Sequence, residues 1–185
     1  MTGSRETLGS DVAFDAGFFQ VVREKVRLPD GSEHDYFFCK HPGAVAVVPV
    51  DDSGRILMVR QFRQAVADAL LEIPAGKIDP GEDPWQCAHR ELKEETGYEC
   101  ADLELVTTFY ASPGMTDEKL FVFVGRGLKA VAPAPTHDGG EPISMEWMEK
   151  DESFDAIRDG RIVDGKSIVG ITLYEHAARH ELDHH

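Results

Sequence analysis

Positive charge is what this sequence has least of: 19 Lys and Arg stand against 34 Asp and Glu in 185 residues, giving a formal net charge of −15 and a pI near 4.8. Such a surface repels a polyanion whose binding depends on releasing counterions to basic side chains, so no nucleic-acid partner is expected. Cysteine is scarce as well. Cys39, Cys87 and Cys100 are odd in number and lack the paired spacing of a zinc knuckle or dithiol redox motif, and are read as reduced, ordinary residues. No apolar run is long enough to cross a bilayer, and the amino-terminal stretch MTGSRETLGSDVAFD has no apolar core of the kind a secretory signal needs. A cytoplasmic protein without a membrane partner is expected. No internal repeat or low-complexity tract is present.

What remains is the material of one domain: 42% hydrophobic residues over this length suffice for one substantial core. FFQVVREKVRL and EHDYFFCK flank Pro29-Asp30-Gly31 and predict a hairpin. A second hairpin joins GAVAVVPV to RILMVRQF across Asp51-Asp52-Ser53-Gly54. Its first arm, apolar at nearly every position, reads as a central strand buried on both faces. Further strands are expected at LELVTTFY, KLFVFVGRG and ISMEWM, and helical periodicity appears in SFDAIRDG and KSIVGITLYEHAARHEL. Ala130 to Gly140, rich in Pro and Gly, reads as a long loop, and loops of that length are often functional. The order predicts an α/β (α+β) domain, a mixed sheet packed against helices.

The best-signalled element is the helix from Pro84 to Thr96. Asp83 is its expected N-cap, Pro84 its first residue, Gln86 the partner in a capping box and Gly97 its stop. At about 100° per residue, Trp85, Ala88, Leu92 and Thr96 form a packing stripe, and Glu91, Glu94 and Glu95 fall beside it. Three carboxylates so placed suit a hard cation that takes oxygen ligands and keeps positions for water and phosphate. A solvated acidic face accounts for the charges equally well, because like-charge pairs on an exposed helix cost little.

The run from Gly76 to Tyr98, GKIDPGEDPWQCAHRELKEETGY, resembles the signature of the Nudix hydrolase family. Gly76, Glu82, Arg90, Glu91, Leu92, Glu94, Glu95 and Gly97 stand at that family's spacing, and only Tyr98 departs, where an aliphatic residue is usual. The resemblance implies metal-dependent hydrolysis of a diphosphate, with Mg²⁺ the expected ion and Mn²⁺ a substitute. Glu91, Glu94 and Glu95 are the implied ligands, joined by the Ala75 carbonyl, with Glu82 a secondary ligand or orienting residue. Arg90 would pair with Glu94 or Glu82.

Beyond that box, HPGAVAVVPV, VRQFRQ, LEIPAGK and SPGMTDEKLFVF resemble the ADP-ribose pyrophosphatase and nucleotide-sugar branch, whose distinguishing proline corresponds to Pro113. That likeness makes Arg63 an expected diphosphate contact, as suits a guanidinium that can grip two phosphate oxygens. Arg60 is either a second contact or a strand-surface charge, and Glu72 lies near metal or substrate. Glu141 is the implied general base, with Asp138 nearby; a box glutamate is the alternative. The resemblance further implies a homodimer in which residues 1–40 exchange between subunits while 41–185 form the hydrolase domain. Phe18, Phe19, Tyr36 and Phe37 are then either core residues or base-stacking ones. His176, His180 and His184, at helical spacing, are read as an exposed face rather than a metal site. The expected substrate is a nucleoside-diphosphate sugar, ADP-ribose first and GDP-mannose among the others. A triphosphate pool cleaner and a sensor without turnover are the competing readings.

Overall fold

The computed structural model describes residues 4–133, 137–138 and 141–182, and of 137, 138, 141, 142, 175 and 177–182 the backbone alone. The chain divides into two compact units. One comprises Met1–Gly43 and Tyr110–Lys119, the other Ala44–Phe109 and Leu120–His185.

The first unit holds β1 (Glu6–Asp15), β2 (Gln20–Arg27) and β3 (Glu33–Lys40), an antiparallel sheet in that order. Of the two predicted hairpins, the first is β2 and β3, paired without a register break from Gln20↔Lys40 to Arg27↔Glu33; the second does not form, because its arms, Ala44–Pro49 and Ile56–Arg63, belong to different sheets. The third strand, β1, was not expected. All ten of its residues are exposed, so no alternation of apolar side chains announced it, and it pairs with β2 through two bulges.

The second unit contains, in chain order, β4 (Ala44–Pro49), β5 (Ile56–Arg63), β6 (Asp68–Glu72), β7 (Ala75–Lys77), α1 (Pro84–Thr96), β8 (Tyr98–Glu99) and β9 (Asp102–Tyr110). There follow β10 (Lys119–Arg126), β11 (Lys129–Ala130), β12 (His137–Asp138), β13 (Glu141–Pro142), β14 (Ser144–Met148), α2 (Lys150–Arg158) and α3 (Gly165–Leu182). Two sheets dominate, β7-β4-β10-β9 and β14-β5-β6. The strand read as central is central: β4 is buried throughout and runs parallel to β10.

Because side chains alternate across a strand, β4 feeds two cores. Val45 and Val47 join Cys87, Ala88, Leu92 and Phe123 on the α1 side. Ala46 and Val48 join Met58, Ile73, Val122 and Ile171 on the α3 side. The result is a mixed sheet covered by helices on both faces. At Gly170 the backbone of α3 comes so near the sheet that a Cβ would lie 2.9 Å from Val48 Cγ2 and 3.0 Å from Ile73 Cδ1. Among the described residues, no helix is long and apolar enough to cross a membrane.

Candidate active site

The caps of α1 fix how its carboxylates are presented. The Trp85 N–H donates to Asp83 Oδ1 at 2.8 Å and the Asp83 N–H to Gln86 Oε1 at 3.4 Å, while Gly97 ends the helix at φ 74°. The buried stripe is Cys87, Ala88, Leu92, Glu95 and Thr96. It is rotated from the expected one. Trp85 meets Phe123 edge-on at 5.1 Å yet remains 43% exposed, whereas Glu95, expected on the acidic face beside the stripe, is buried within it.

On the open side one guanidinium gathers three carboxylates. Arg90 donates from Nε and Nη2 to the two oxygens of Glu82 at 2.8 and 2.9 Å, and from Nη1 to Glu91 Oε1 at 2.6 Å and Glu94 Oε2 at 3.1 Å. Both expected partners of Arg90 are therefore engaged, and Glu91 besides. The hydrogen bonds from Arg90 hold the Glu82 carboxyl down at about 2. Burial pushes the Glu91 carboxyl above its ordinary value despite Arg90 beside it. Cys87, beneath this cluster, has its thiol raised to about 12 by burial and by Glu82, which keeps it protonated.

Glu95 turns the other way and accepts the Ala75 N–H at 2.9 Å. Gly76, the next residue, faces Glu91: a Cβ there would lie 2.0 Å from Glu91 Cδ. Two carboxylates one helical turn apart thus meet two consecutive backbone residues, an approach only glycine permits at position 76. Among the described residues, no three His, Cys, Asp or Glu side chains converge as a ready ligand cluster. Three of the acids converge on Arg90, which compensates their mutual repulsion. An all-oxygen donor set on one turn, pressed against a bare stretch of backbone, fits a hard divalent cation.

A second ionic cluster is built on Glu72, the last residue of β6. Glu72 is 1% exposed. It accepts Arg63 Nε at 2.8 Å and Arg63 Nη2 at 2.6 Å in a bidentate pair, and its Oε2 also accepts from Lys166 Nζ. Burial pushes the Glu72 carboxyl up, but the two cations outweigh it and hold the group below its ordinary range. Glu72 in turn raises the Arg63 guanidinium, with Glu95 and Asp164 adding to the field. Lys166 Nζ lies 3.0 Å from Asp164 Oδ2, and that carboxylate accepts the Ser167 N–H and hydroxyl at the start of α3. The Ser167 Oγ accepts the Ile73 N–H at 2.9 Å.

The structure therefore brings Glu72 and Arg63 together, and Glu82, Arg90, Glu91 and Glu94 together. Arg60 stands apart: its Nη2 pairs with Glu146 Oε1 at 3.3 Å, with both side chains about half exposed. Lys166 and Asp164 escaped the sequence reading; the Asp-Gly-Lys-Ser run before a helical pattern, an N-cap signal, was the one local clue. Glu141 and Asp138 pair in the β12–β13 register, and their side chains lie outside the described residues, as do those of His180 and His184. His176 is exposed. In the first unit, Phe19 is half-buried with the Phe18 ring edge-on at 4.8 Å. Pro113 lies in a turn closed by Met115 N–H to Ser112 O at 2.8 Å, and lines a cleft of about 320 Å³ with Tyr36, Phe37, Tyr110 and Asp117.

Comparison with known proteins agrees with this geometry. The NUDIX domain model matches residues 40–168. The chain is 36% identical over 166 residues to an ADP-ribose pyrophosphatase of Bacillus subtilis (strain 168), covering 90% of each chain. It is 34% identical over 167 residues to an ADP-ribose pyrophosphatase of Mycobacterium tuberculosis, covering 90% of this chain and 81% of the relative. A methanol dehydrogenase activator of Bacillus methanolicus is 36% identical over 166 residues, with 90% of each covered. The crystal structure of an ADP compounds hydrolase superposes with a TM-score of 0.85 at 20% identity, covering 98% and 97% of the two chains, which shows the shared fold. With the family's acidic helix, its glycine-lined approach and a domain match over most of its length, this chain belongs to the Nudix family of hydrolases.

Proposed function

We propose that this Nudix hydrolase is a divalent-metal-dependent pyrophosphatase that cleaves nucleoside-diphosphate sugars, ADP-ribose first among them, to a nucleoside monophosphate and a sugar phosphate. The observation that carries the reading is the placement of Glu91 and Glu95 against Gly76 and Ala75. Glu91 and Glu95, with Glu94, Glu82 and the Ala75 carbonyl, would hold the ion, Mg²⁺ or in its place Mn²⁺. Such an ion neutralises diphosphate charge and lowers the pKa of a bound water. Arg63 grips the diphosphate through the guanidinium edge that Glu72 does not use. Glu141 takes the proton of the attacking water as a P–O bond of the bridge breaks and the other phosphate leaves with the electron pair. Arg90 keeps Glu82 and Glu91 in place. The pyrophosphatase names of the Bacillus subtilis and Mycobacterium tuberculosis relatives support ADP-ribose as first substrate. Val12, Phe14, Phe18 and Phe37, large apolar side chains exposed on the first unit, support a homodimer. The protein's place of work is taken as the cytoplasm.

The test is incubation with Mg²⁺ and a panel of ADP-ribose, GDP-mannose, other nucleotide sugars, dinucleotides and nucleoside triphosphates, with products identified by chromatography. ADP-ribose turned over to AMP and ribose phosphate is the expected result, and a preference for triphosphates would overturn the substrate assignment. Glu95→Gln is expected to lower turnover by about a thousandfold or more with an unchanged melting curve, and Glu141→Gln to lower kcat far more than it raises KM. Undiminished rates in either variant would remove that residue from its role. Sedimentation equilibrium at micromolar concentration decides the dimer.

A further inference from the structure

Lys166 comes from the first turn of α3, 94 residues from Glu72, and carries its ammonium to the closed end of the cluster: its side chain is 11% exposed, that of Asp164 16% and that of Glu72 2%, while Arg63 at the open end is 39% exposed. Burying charges in this way costs desolvation that an apolar cluster of the same volume would avoid. A merely structural purpose is a poor account of it. The end of β6 is already fastened to α3 by the Ile73 N–H to Ser167 Oγ hydrogen bond, which needs no charge.

The guanidinium of Arg63 shows what the extra cation is for. Of its five N–H bonds, Glu72 takes the Nε–H and one on Nη2, both along one edge. The second N–H on Nη2 and the one beside it on Nη1 make the end fork, the geometry that matches two phosphate oxygens. The direction of that fork is set by the plane of the Glu72 carboxylate. A carboxylate with a single partner can turn with it; one whose Oε2 is also held by Lys166 cannot, and Asp164 fixes Lys166 in its turn. We propose that Lys166 is a positioning residue for substrate: it locks Glu72 so that Arg63 presents its second N–H fork to the diphosphate in one orientation. This rests on the pyrophosphatase reading of the site, with Arg63 as the diphosphate contact.

The role passes through Arg63, so the test is a double-mutant cycle of Lys166→Met with Arg63→Lys, which keeps the charge of Arg63 and removes its fork. In the wild-type background Lys166→Met is expected to lower kcat/KM for ADP-ribose about tenfold or more, with most of the loss in KM. In the Arg63→Lys background the same change is expected to cost less than about twofold. Equal losses in both backgrounds would mean that Lys166 acts independently of Arg63 and would overturn the proposal. Should Lys166→Met fail to fold, Asp164→Asn replaces it in the same cycle, with a smaller loss that must again shrink when Arg63 is Lys. The cycle is also read in ADP-ribose affinity by calorimetry, which separates the two claims. If wild-type protein binds ADP-ribose without hydrolysing it and the affinities are coupled, the hydrolase reading fails and the positioning role stands. Hydrolysis with additive losses leaves the enzyme and removes the role. Neither binding nor hydrolysis overturns both.

Discussion

Two ionic clusters flank the stretch from Glu72 to Lys77, and they are built in opposite ways. Around Arg90 one cation serves three carboxylates, partly in water, with Glu94 well exposed. Around Glu72 one carboxylate serves two cations: Glu72 and Lys166 are nearly out of water, while Arg63 keeps 39% of its side chain exposed. The first cluster carries a net negative charge. The second is balanced once Asp164 is counted, two cations against two carboxylates. Exposure decides what each contact is worth: a solvated pair contributes little, whereas removing one member of a buried group strands the others.

That contrast sets the expected sizes of perturbation. Glu72→Gln should have the largest effect on stability, lowering unfolding free energy in urea by about 3 kcal/mol because the buried Lys166 and the part-exposed Arg63 lose their shared anion. A loss below about 1 kcal/mol would show the cluster to be as loosely coupled as a surface pair. The same variant has a pH signature. Since the folded-state Glu72 carboxyl lies below its ordinary value of 4.5, its contribution is complete above that value and fades as pH falls through the folded value. The urea midpoint should therefore drop more steeply on acidification in the wild type than in Glu72→Gln. Gly76→Ala comes next, an expected loss of about a hundredfold in kcat/KM for ADP-ribose, because a methyl group where Glu91 now lies displaces that carboxylate. Undisturbed activity would show that Glu91 has room to move. Smallest is Glu94→Gln: less than about 0.5 kcal/mol in stability by urea titration, since Arg90 keeps Glu82 and Glu91.

The same contrast explains which parts could be read from sequence. The Arg90 cluster is local. Asp83, Pro84, Gln86 and Gly97 announce both ends of α1, and the spacing of Glu91, Glu94 and Glu95 then follows from helical geometry. Even so, the buried face is turned from the one a helical wheel gives. A wheel treats every apolar residue alike, but Trp85 sits at the first turn, where the sheet covers only part of so large a ring, and Glu95 took the buried position through its bond to Ala75. The unbroken apolar run of β4 likewise declared a strand with two covered faces. The Glu72 cluster was half legible, because Lys166 reaches it only through the folded topology. β6 and β7 are short, and β1 buries nothing by which a pattern could reveal it.

Gly170 carries this further. One turn along α3 from Lys166, it lets the helix backbone settle at a separation from Val48 and Ile73 that any larger residue would forbid. The reach of a lysine ammonium is finite, so the thickness of that helix-to-sheet layer decides whether Lys166 arrives at Glu72 at all. A hydrogen atom in the middle of an apolar contact thereby acts as the shim for an ionic one, and the spacing at which Lys166 meets Glu72 is set by a contact that carries no charge.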